Sequence, residues 1–266
     1  MLICPICGNN LKRGEKTYVC EKNHNFDIAR QGYVNLLPAS FKKTADPGDN
    51  AEMVNARHSF LSAGYYSVLS LFIADYIKNN FVSPVIIDAG CCEGYYSECV
   101  KNEVQKAEIF AVDISKNAVK KGSSVYKNIM FLVSSVFNLP FSDSSADIIM
   151  RIFAPIALQE YKRVLKSDGT LIEVVPGIKH LKELKDILYD NVRLNPEPEN
   201  CRAGFELINS HEIISKIHIF GNENIENLFA MTPYFYTTDI KGKEKLNNID
   251  ELDVTGDFVV NFYKKM

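Results

Sequence analysis

The stretch IIDAGCCEGYY, residues 86–96, decides the fold because it combines a buried strand with a tight turn. The apolar residues before Asp88 predict the strand, and Gly90 and Gly94 allow the backbone to turn sharply. The dinucleotide-binding pattern G-x-G-x-x-G is absent. The stretch has the pattern D-x-G-x-(G)-x-G instead, with Cys92 at the position of the middle glycine. It predicts a nucleotide-type cofactor site.

Strands and helices alternate along the chain around this turn. The predicted central strands are SPVIIDAG (83–90), AEIFAVDIS (107–115), IMFLVSS (129–135), ADIIMRIFA (146–154) and GTLIEVVPG (169–177). Segments with helical spacing follow the first, second and fourth of them, which predicts an α/β fold with a parallel sheet covered on both faces. Two later segments, EIISKIHIFGN (212–222) and DFVVNFYKK (257–265), are predicted as closing strands.

The charge of the chain is unevenly distributed. The 266 residues carry a net charge of −3, which argues against a bulk polyanion binder. Residues 1–45 nevertheless contain seven Lys or Arg against three acids, for a net charge of +4, and the remainder carries −7. A basic module on an acidic body points to a nucleic-acid partner, although a solvated basic surface would have the same composition.

The compartment follows from the N-terminus and the cysteines. The segment MLICPICGNN lacks the basic start and long apolar run of a signal peptide, and no stretch reaches the length of a membrane span. We therefore expect a cytoplasmic protein without a membrane partner. In that reducing compartment, the seven cysteines favour metal binding or buried thiols over disulfides.

Four residues near the N-terminus have the spacing of a zinc site. Two residues separate Cys4 from Cys7, twelve separate Cys7 from Cys20, and three separate Cys20 from His24. This Cys-x2-Cys-x12-Cys-x3-His pattern suits tetrahedral zinc, and four protein ligands make such a zinc structural. Because so short a segment has little apolar surface, the metal would supply its folding free energy. The alternative is four unrelated buried residues.

The context of the glycine turn favours S-adenosylmethionine (SAM), the cofactor of Rossmann-like methyltransferases. Asp113 ends the second strand, where a carboxylate can accept both ribose hydroxyls. The stretch VSSVFNLPFSDSSADIIM (133–150) resembles the part of those enzymes that flanks the adenine, and it places Ser135 and Val136 there. The stretch YKRVLKSDGTLIEVVPG (161–177) resembles their hRhLKPGGhhhhhhP segment, where h is apolar.

Taken together, the chain resembles the RlmA-type ribosomal RNA (guanine-N(1)-)-methyltransferases over essentially its whole length. The zinc quartet belongs to the resemblance. The other segments that carry it are HNFDIARQGYVNLLP (24–38), DPGDNAEMVNARHSFLSAGYY (46–66), DAGCCEGYY (88–96), LPFSDSSADIIMRIFAP (139–155), PGIKHLKEL (176–184) and MTPYFY (231–236).

The resemblance implies a Rossmann-like class I SAM-dependent methyltransferase sheet with a small N-terminal zinc-ribbon domain. Residues 1–38 would be a zinc-binding RNA-recognition module, residues 39–57 a linker, and residues 58–266 the methyltransferase domain. The substrate would be one guanine in a hairpin loop of large-subunit rRNA. The implied cofactor-binding residues are Tyr66, Asp88, Gly90, Cys92, Glu93, Gly94, Tyr95, Asp113, Ser135, Val136 and His180.

Three of the site residues keep a structural alternative. Tyr66 would otherwise be a core aromatic, His180 a solvent-exposed residue at the start of a helix, and Asp113 a turn residue at a strand end.

Cys92 departs from the family pattern, which has glycine at that position. If the position needs a positive φ, a Cβ costs on the order of 1 kcal/mol. If the cofactor passes close by, a thiol would obstruct it. Either effect predicts weakened SAM binding.

The end of the fourth strand, RIFAP, is expected to face the guanine. Arg151 could stabilise the oxygen of deprotonated guanine, and Phe153 could stack on the base. The alternatives are an ion pair for Arg151 and core packing for Phe153. The phosphate contacts would come from basic residues in the N-terminal region: Lys12, Arg13, Lys16, Lys42 and Lys43.

Two other functions remain open from the sequence. One is a SAM-dependent methyltransferase of a small molecule, with the zinc ribbon as a docking element. The other is a non-catalytic RNA-binding protein whose cofactor site is impaired by Cys92. The acidic body and the C-terminal segments could also support a homodimer.

Overall fold

The computed structural model describes residues 1–39, 44 and 47–266 and contains two sheets. The small antiparallel sheet has the strand order β1-β2-β3. Its strands are β1 (Leu11–Arg13), β2 (Thr17–Cys20) and β3 (Asn25–Asp27). The strands of the main sheet are β4 (Val34–Asn35), β5 (Val85–Ala89), β6 (Glu108–Asp113), β7 (Met130–Val133), β8 (Ala146–Ile152), β9 (Leu165–Pro176), β10 (Phe205–Phe220) and β11 (Glu251–Lys265).

Helices connect most of the main-sheet strands. They are α1 (Ala51–Ser62), α2 (Ser67–Asn80), α3 (Tyr95–Glu103), α4 (Lys116–Val125), α5 (Leu158–Val164), α6 (Lys182–Leu188), α7 (Asn222–Ala230), α8 (Tyr234–Thr237) and α9 (Ile240–Glu244). The cause of the start of α1 is local. The Asn50 side chain accepts a hydrogen bond of 2.9 Å from the amide of Met53, which caps the helix.

The main sheet has the strand order β10-β11-β9-β8-β5-β6-β7-β4. The six strands from β9 to β4 are parallel. Five of them are the predicted central strands, and β4 was not predicted. The two closing strands are also confirmed, but they run antiparallel to their neighbours. Phe220, the last residue of β10, pairs with Glu251, the first residue of β11. The segment between these two strands therefore begins and ends at the same edge of the sheet.

Different parts of the chain cover the two faces of the main sheet. On one face, helices α1 to α4 bury residues such as Phe60, Ile73 and Val100 against the strands. On the other face, the N-terminal module packs Leu2 and Tyr18 with residues of β5, β7 and α5. Burial on both faces explains the continuous apolar character of the central strands.

The N-terminal module is joined to the main sheet as well as packed on it. Leu2 forms a bridge with Phe141, and the amide of Ile3 donates to the carbonyl of Pro140 at 3.0 Å. Strand β4 lies inside the predicted 1–38 module, yet it pairs in parallel with β7. These contacts tie the module to the body. The predicted domain boundaries at residues 38 and 57 stay a prediction.

In the part of the chain that the structure describes, no single helix is long and apolar enough to cross a membrane. Helices α1 and α2 meet the length and composition requirement only as a pair, and a bend of 77° separates them.

Candidate functional site

The four predicted zinc ligands meet in space at one end of the small sheet. Their ligand atoms lie within 4.8 Å of one another. The Sγ atoms of Cys7 and Cys20 are 3.7 Å apart, and Nδ1 of His24 is 3.4 Å from Sγ of both Cys4 and Cys20. A tetrahedral zinc with Zn–S distances near 2.3 Å separates two thiolates by about 3.8 Å. The donor set and its spacing therefore fit a closed, structural zinc site.

The predicted cofactor turn connects β5 to α3 at the carboxyl end of the parallel strands. Gly90 has a φ of +88°, and a Cβ there would clash with the Cβ of Ala154, in the loop after β8. Gly90 thus lets the cofactor turn approach the loop that follows the fourth central strand. Ligands of open α/β sheets bind outside the carboxyl ends of the strands, so this edge is the place for a cofactor.

Asp88, at the end of β5, is buried, and its Oδ2 accepts a hydrogen bond of 2.7 Å from the Ser97 hydroxyl. Burial raises the pKa of Asp88 to about 7. A cationic group placed beside Asp88 would favour the ionised carboxylate and lower that pKa again. The site thus favours a ligand that carries positive charge, as SAM does.

Asp113 lies at the end of β6, beside the turn. Its Oδ2 accepts a hydrogen bond of 2.8 Å from the amide of Cys92, and its Oδ1 accepts one of 2.8 Å from the amide of Ser115. A carboxylate oxygen can accept more than one hydrogen bond, so both oxygens keep acceptor capacity. Two ribose hydroxyls are suitable donors for that capacity.

The predicted adenine-flanking residues follow β7. Ser135 and Val136 are both buried, and Val136 packs into the core on the face covered by the N-terminal module. The next residue, Phe137, is 61% exposed. Phe137 was not predicted, because an aromatic residue in the sequence gives no sign of whether it is buried or exposed.

Tyr66 and His180 come together from distant parts of the chain. The Tyr66 hydroxyl lies 3.5 Å from Nε2 of His180, and both side chains are buried. Nδ1 of His180 accepts a hydrogen bond of 3.3 Å from the amide of Asp257. Burial lowers the pKa of His180 to about 4, so the ring is neutral at pH 7 and carries its proton on Nε2. The alternative of a solvent-exposed His180 is wrong.

Phe153 is placed at the same cluster by an unusual backbone. It has a φ of +52°, which is strained for a phenylalanine, and its side chain is 42% exposed. Its ring stacks on His180 with centroids 5.8 Å apart. Phe153 is therefore not a core residue, which was the alternative from the sequence.

The other two residues predicted in the turn face the protein interior. Glu93 is buried, and its Oε1 has no hydrogen-bond partner among the described residues. Tyr95 is directed at α2, where its hydroxyl lies 3.3 Å from the Ser70 hydroxyl. Both residues lie at the turn, but the Tyr95 side chain contacts α2 and does not point towards the carboxyl edge of the sheet, where the cofactor is expected.

Arg151 does not face the cofactor edge as a free cation. Its guanidinium donates to Glu173 on β9 at 2.9 Å, and Arg202 donates to the same carboxylate at 2.9 Å. Glu173 is fully buried. This ion pair is the alternative we gave for Arg151, and the role on the guanine oxygen stays a prediction.

The structure also reveals two residues at the turn that sequence reasoning missed. Arg57 on α1 pairs with Asp49 Oδ2 at 2.5 Å, and the Cys92 thiol lies 4.0 Å from the same oxygen. Gly48, at a φ of +86°, lets the chain before α1 lie against Ile114 and Ser115, where the Ser115 hydroxyl donates to the carbonyl of Asp49 at 2.6 Å. Both residues belong to the DPGDNAEMVNAR string, whose distinctive composition was the available signal.

Cys92 has the positive φ that was one of the two conditions considered from the sequence. Its φ is +49°, and its buried side chain packs with Val54 and Ala118 beside Arg57 and Asp49. The strain is thus present, and the thiol occupies space next to charged groups at the turn.

We predict that Cys92→Gly binds SAM more tightly than the natural chain. Removing the Cβ and the thiol frees the turn to adjust to the cofactor, and relief of about 1 kcal/mol corresponds to roughly a fivefold gain in affinity. Isothermal titration calorimetry of both proteins checks this, with Cys99→Ala as the control for loss of a thiol. Equal dissociation constants for the natural chain and Cys92→Gly would refute the prediction.

Comparison with known proteins adds a family context to this geometry. A family model described as "RlmA, N-terminal" matches residues 2–45, and one described as "Methyltransferase domain" matches residues 82–245. The first match contains all four zinc ligands, and the second contains the glycine turn and Asp113.

Three curated relatives cover most of the chain. A Bacillus subtilis (strain 168) protein named "Putative 23S rRNA (guanine-N(1)-)-methyltransferase YxjB" is 30% identical over 97% of this chain and 94% of its own length. A Streptomyces fradiae protein named "23S rRNA (guanine(748)-N(1))-methyltransferase" is 36% identical over 70% of this chain and 67% of its own. A Micromonospora griseorubida protein named "Putative 23S rRNA (guanine-N(1)-)-methyltransferase" is 34% identical over 70% and 69%.

Proposed function

This chain belongs to the 23S rRNA (guanine-N(1)-)-methyltransferase family, and we propose that it methylates N-1 of one guanine in a hairpin loop of large-subunit rRNA. The observation that carries the proposal is the union, in one chain, of the zinc quartet with the cofactor turn. A small-molecule methyltransferase would have no need of a basic zinc module packed against its sheet.

Different residues at the carboxyl edge of the sheet would bind different parts of the cofactor. Asp113 would accept the ribose hydroxyls, and the turn around Gly90 would bring the backbone close to the methionine part. Buried Tyr66 and neutral His180 would close the site from the side. When bound, SAM would supply an electrophilic methyl group, whose carbon a nucleophile attacks in line while S-adenosylhomocysteine leaves.

Phe153 is the residue best placed to receive the guanine. It follows β8 directly, it is exposed, and its strained backbone is the kind of feature that accumulates at functional sites. Proteins recognise guanines in RNA loops by stacking aromatic rings on bases that have turned out of the RNA base stack. Phe153 would thus hold the base above His180, next to the cofactor edge. N-1 of guanine must lose its proton before or during the attack.

The basic module would contact the phosphates of the hairpin. Lys12 and Arg13 lie on β1 and Lys16 lies in the following turn, and all three are exposed. Lys42 and Lys43, the other two predicted contacts, lie outside the described residues. Each phosphate contact adds salt-dependent affinity without reading sequence. A substrate in the ribosome also supports the expected cytoplasmic location.

A homodimer is a further part of the proposal. Among the described residues no strand pairs with the outer edge of β10, which also exposes Ile208 and Ile214, and this supports association between copies. Sedimentation of the purified chain decides this, because a monomer mass at micromolar concentration would contradict it.

The function is tested by transfer of labelled methyl from SAM to large-subunit rRNA that lacks the modification, followed by mapping of the modified base. We expect a single N-1-methylated guanine in one hairpin loop. Labelled product on a small molecule instead would favour the small-molecule alternative. No transfer by the natural chain together with transfer by Cys92→Gly would favour a non-catalytic RNA-binding protein.

The same assay tests the role of Phe153. We predict that Phe153→Leu lowers kcat/KM for the RNA by roughly 5- to 150-fold, because stacking on a base contributes about 1–3 kcal/mol. Leucine keeps the Cβ at the strained position, so the SAM dissociation constant should change less than about threefold. Phe220→Leu, which removes an exposed phenylalanine at the end of β10, is the control. Unchanged kcat/KM in Phe153→Leu would rule out the stacking role.

A further inference from the structure

Arg57 is a largely buried cation at the cofactor turn. Its side chain is 25% exposed, and its guanidinium reaches two different parts of the chain. Nη1 donates to Asp49 Oδ2 at 2.5 Å, and Nη2 donates to the carbonyl of Met231 at 2.9 Å. The Cys92 thiol lies 4.0 Å from the same Asp49 oxygen, so the guanidinium, the carboxylate and the thiol meet at the turn. These contacts fix the position of the guanidinium while using only part of its five N–H donors.

The groups around Arg57 are mostly acidic. Burial raises the pKa of Glu93 and of Asp113, and the positive charge of Arg57 opposes that rise in both. Burial alone would lower the pKa of Arg57, but the neighbouring Cys92, Asp49 and Glu93 raise it, so the guanidinium stays charged. The turn therefore combines several carboxylates with one fixed guanidinium.

This charge pattern matches the ligand that the turn is proposed to hold. SAM carries two positive groups, the sulfonium and the ammonium, and one negative group, the carboxylate of its methionine part. The acids Asp88 and Asp113 suit the positive groups and the ribose. The carboxylate needs a cation with parallel N–H donors, and a guanidinium binds carboxylates in that manner.

We propose that Arg57 binds the carboxylate of the methionine part of SAM, with Asp49 holding the guanidinium in position. The inference rests on the proposed function for the identity of the cofactor, and it adds a residue to the cofactor site. Asp49 is suited to its part because the Ser115 hydroxyl fixes the Asp49 carbonyl beside the end of β6.

Calorimetric titration with two ligands tests this assignment without RNA. The ligands are SAM and decarboxylated SAM, which lacks only the carboxylate. We expect Arg57→Gln to raise the dissociation constant of SAM by roughly 10- to 150-fold, as loss of a charge-assisted hydrogen bond does. The dissociation constant of decarboxylated SAM should change less than about threefold. The natural chain should bind SAM more tightly than decarboxylated SAM.

Two further variants control the experiment. Arg163→Gln removes a matched arginine that pairs with Glu160 and Asp143 in another part of the fold, and it should leave both dissociation constants unchanged. If circular dichroism shows that Arg57→Gln is unfolded, Arg57→Lys takes its place. Lysine keeps the charge but loses the forked donors, so SAM should again lose more affinity than decarboxylated SAM.

The outcomes separate this inference from the proposed function. Equal losses for the two ligands, or no loss for either, would overturn the role of Arg57 while leaving methyl transfer intact. A natural chain that binds neither ligand would overturn the cofactor assignment and the inference with it.

Discussion

Replacing Cys7 by Ser is expected to remove zinc from the protein and to unfold its N-terminal module. Metal binding to structural zinc sites contributes on the order of 10 kcal/mol or more, and a closed site with three ligands left holds the ion far less tightly. The small sheet consists of three strands of three or four residues each. It is too small to be stable without the metal. Atomic absorption should find one zinc per natural chain and close to none in the variant.

The loss of zinc should also destabilise the methyltransferase body. Leu2 and Tyr18 of the module are buried against the main sheet, and β4, which lies inside the module, pairs with β7 of that sheet. Unfolding the module exposes this apolar face to water, so we expect the melting temperature to fall by roughly 10 °C or more.

Cys201→Ser is the matched control, because Cys201 is exposed and lies outside the zinc site. It should keep both the zinc and the melting temperature of the natural chain. Full zinc occupancy in Cys7→Ser would show that the quartet is not the metal site. Loss of zinc with an unchanged melting temperature would show that the body does not depend on the module.

Glu173→Gln is expected to lower the free energy of unfolding by about 3–5 kcal/mol. The buried carboxylate accepts hydrogen bonds from Arg151 and Arg202, and the Tyr263 hydroxyl lies 3.4 Å from it. Removing its charge leaves the largely buried Arg151 without its counterion and leaves Arg202 only the exposed Glu199 at 3.6 Å, which is costly in a low-dielectric environment. Urea denaturation followed by circular dichroism measures the change.

The control for Glu173 is Glu206→Gln, which alters an exposed glutamate on β10. Its effect should stay within about 0.5 kcal/mol, as is usual for surface substitutions. A loss of less than about 1 kcal/mol in Glu173→Gln would mean that water or another acid compensates the two arginines.

The two ion-pair clusters explain why part of the site could not be predicted. Arg151 was assigned to the guanine because it follows a strand near the expected substrate, but its partner Glu173 is 22 residues away in the sequence. Arg57 was overlooked because Asp49 and Cys92 make it a site residue only after α1 packs against the turn. A charged side chain in a sequence carries no information about which opposite charge will meet it.

Phe153 and His180 also show that contacts between distant segments cannot be read from the sequence. His180 was assigned by resemblance and Phe153 by its place at the end of the fourth strand, and their stacking joins the end of β8 to the segment before α6. The strained φ of Phe153 has no signature in the sequence, since such a conformation is normally left to glycine.

The sequence by itself determined the features that depend on local spacing. The reach of the backbone over a few residues sets these features. They are the zinc-ligand pairs with two and three residues between them, the glycines around a strand end, and the alternation of strands with helices. Only the tertiary structure decided how the module joins the sheet, that β10 and β11 run antiparallel, and which charges meet at the turn. These features depend on contacts between segments far apart in the chain, and such contacts form only when the whole core packs.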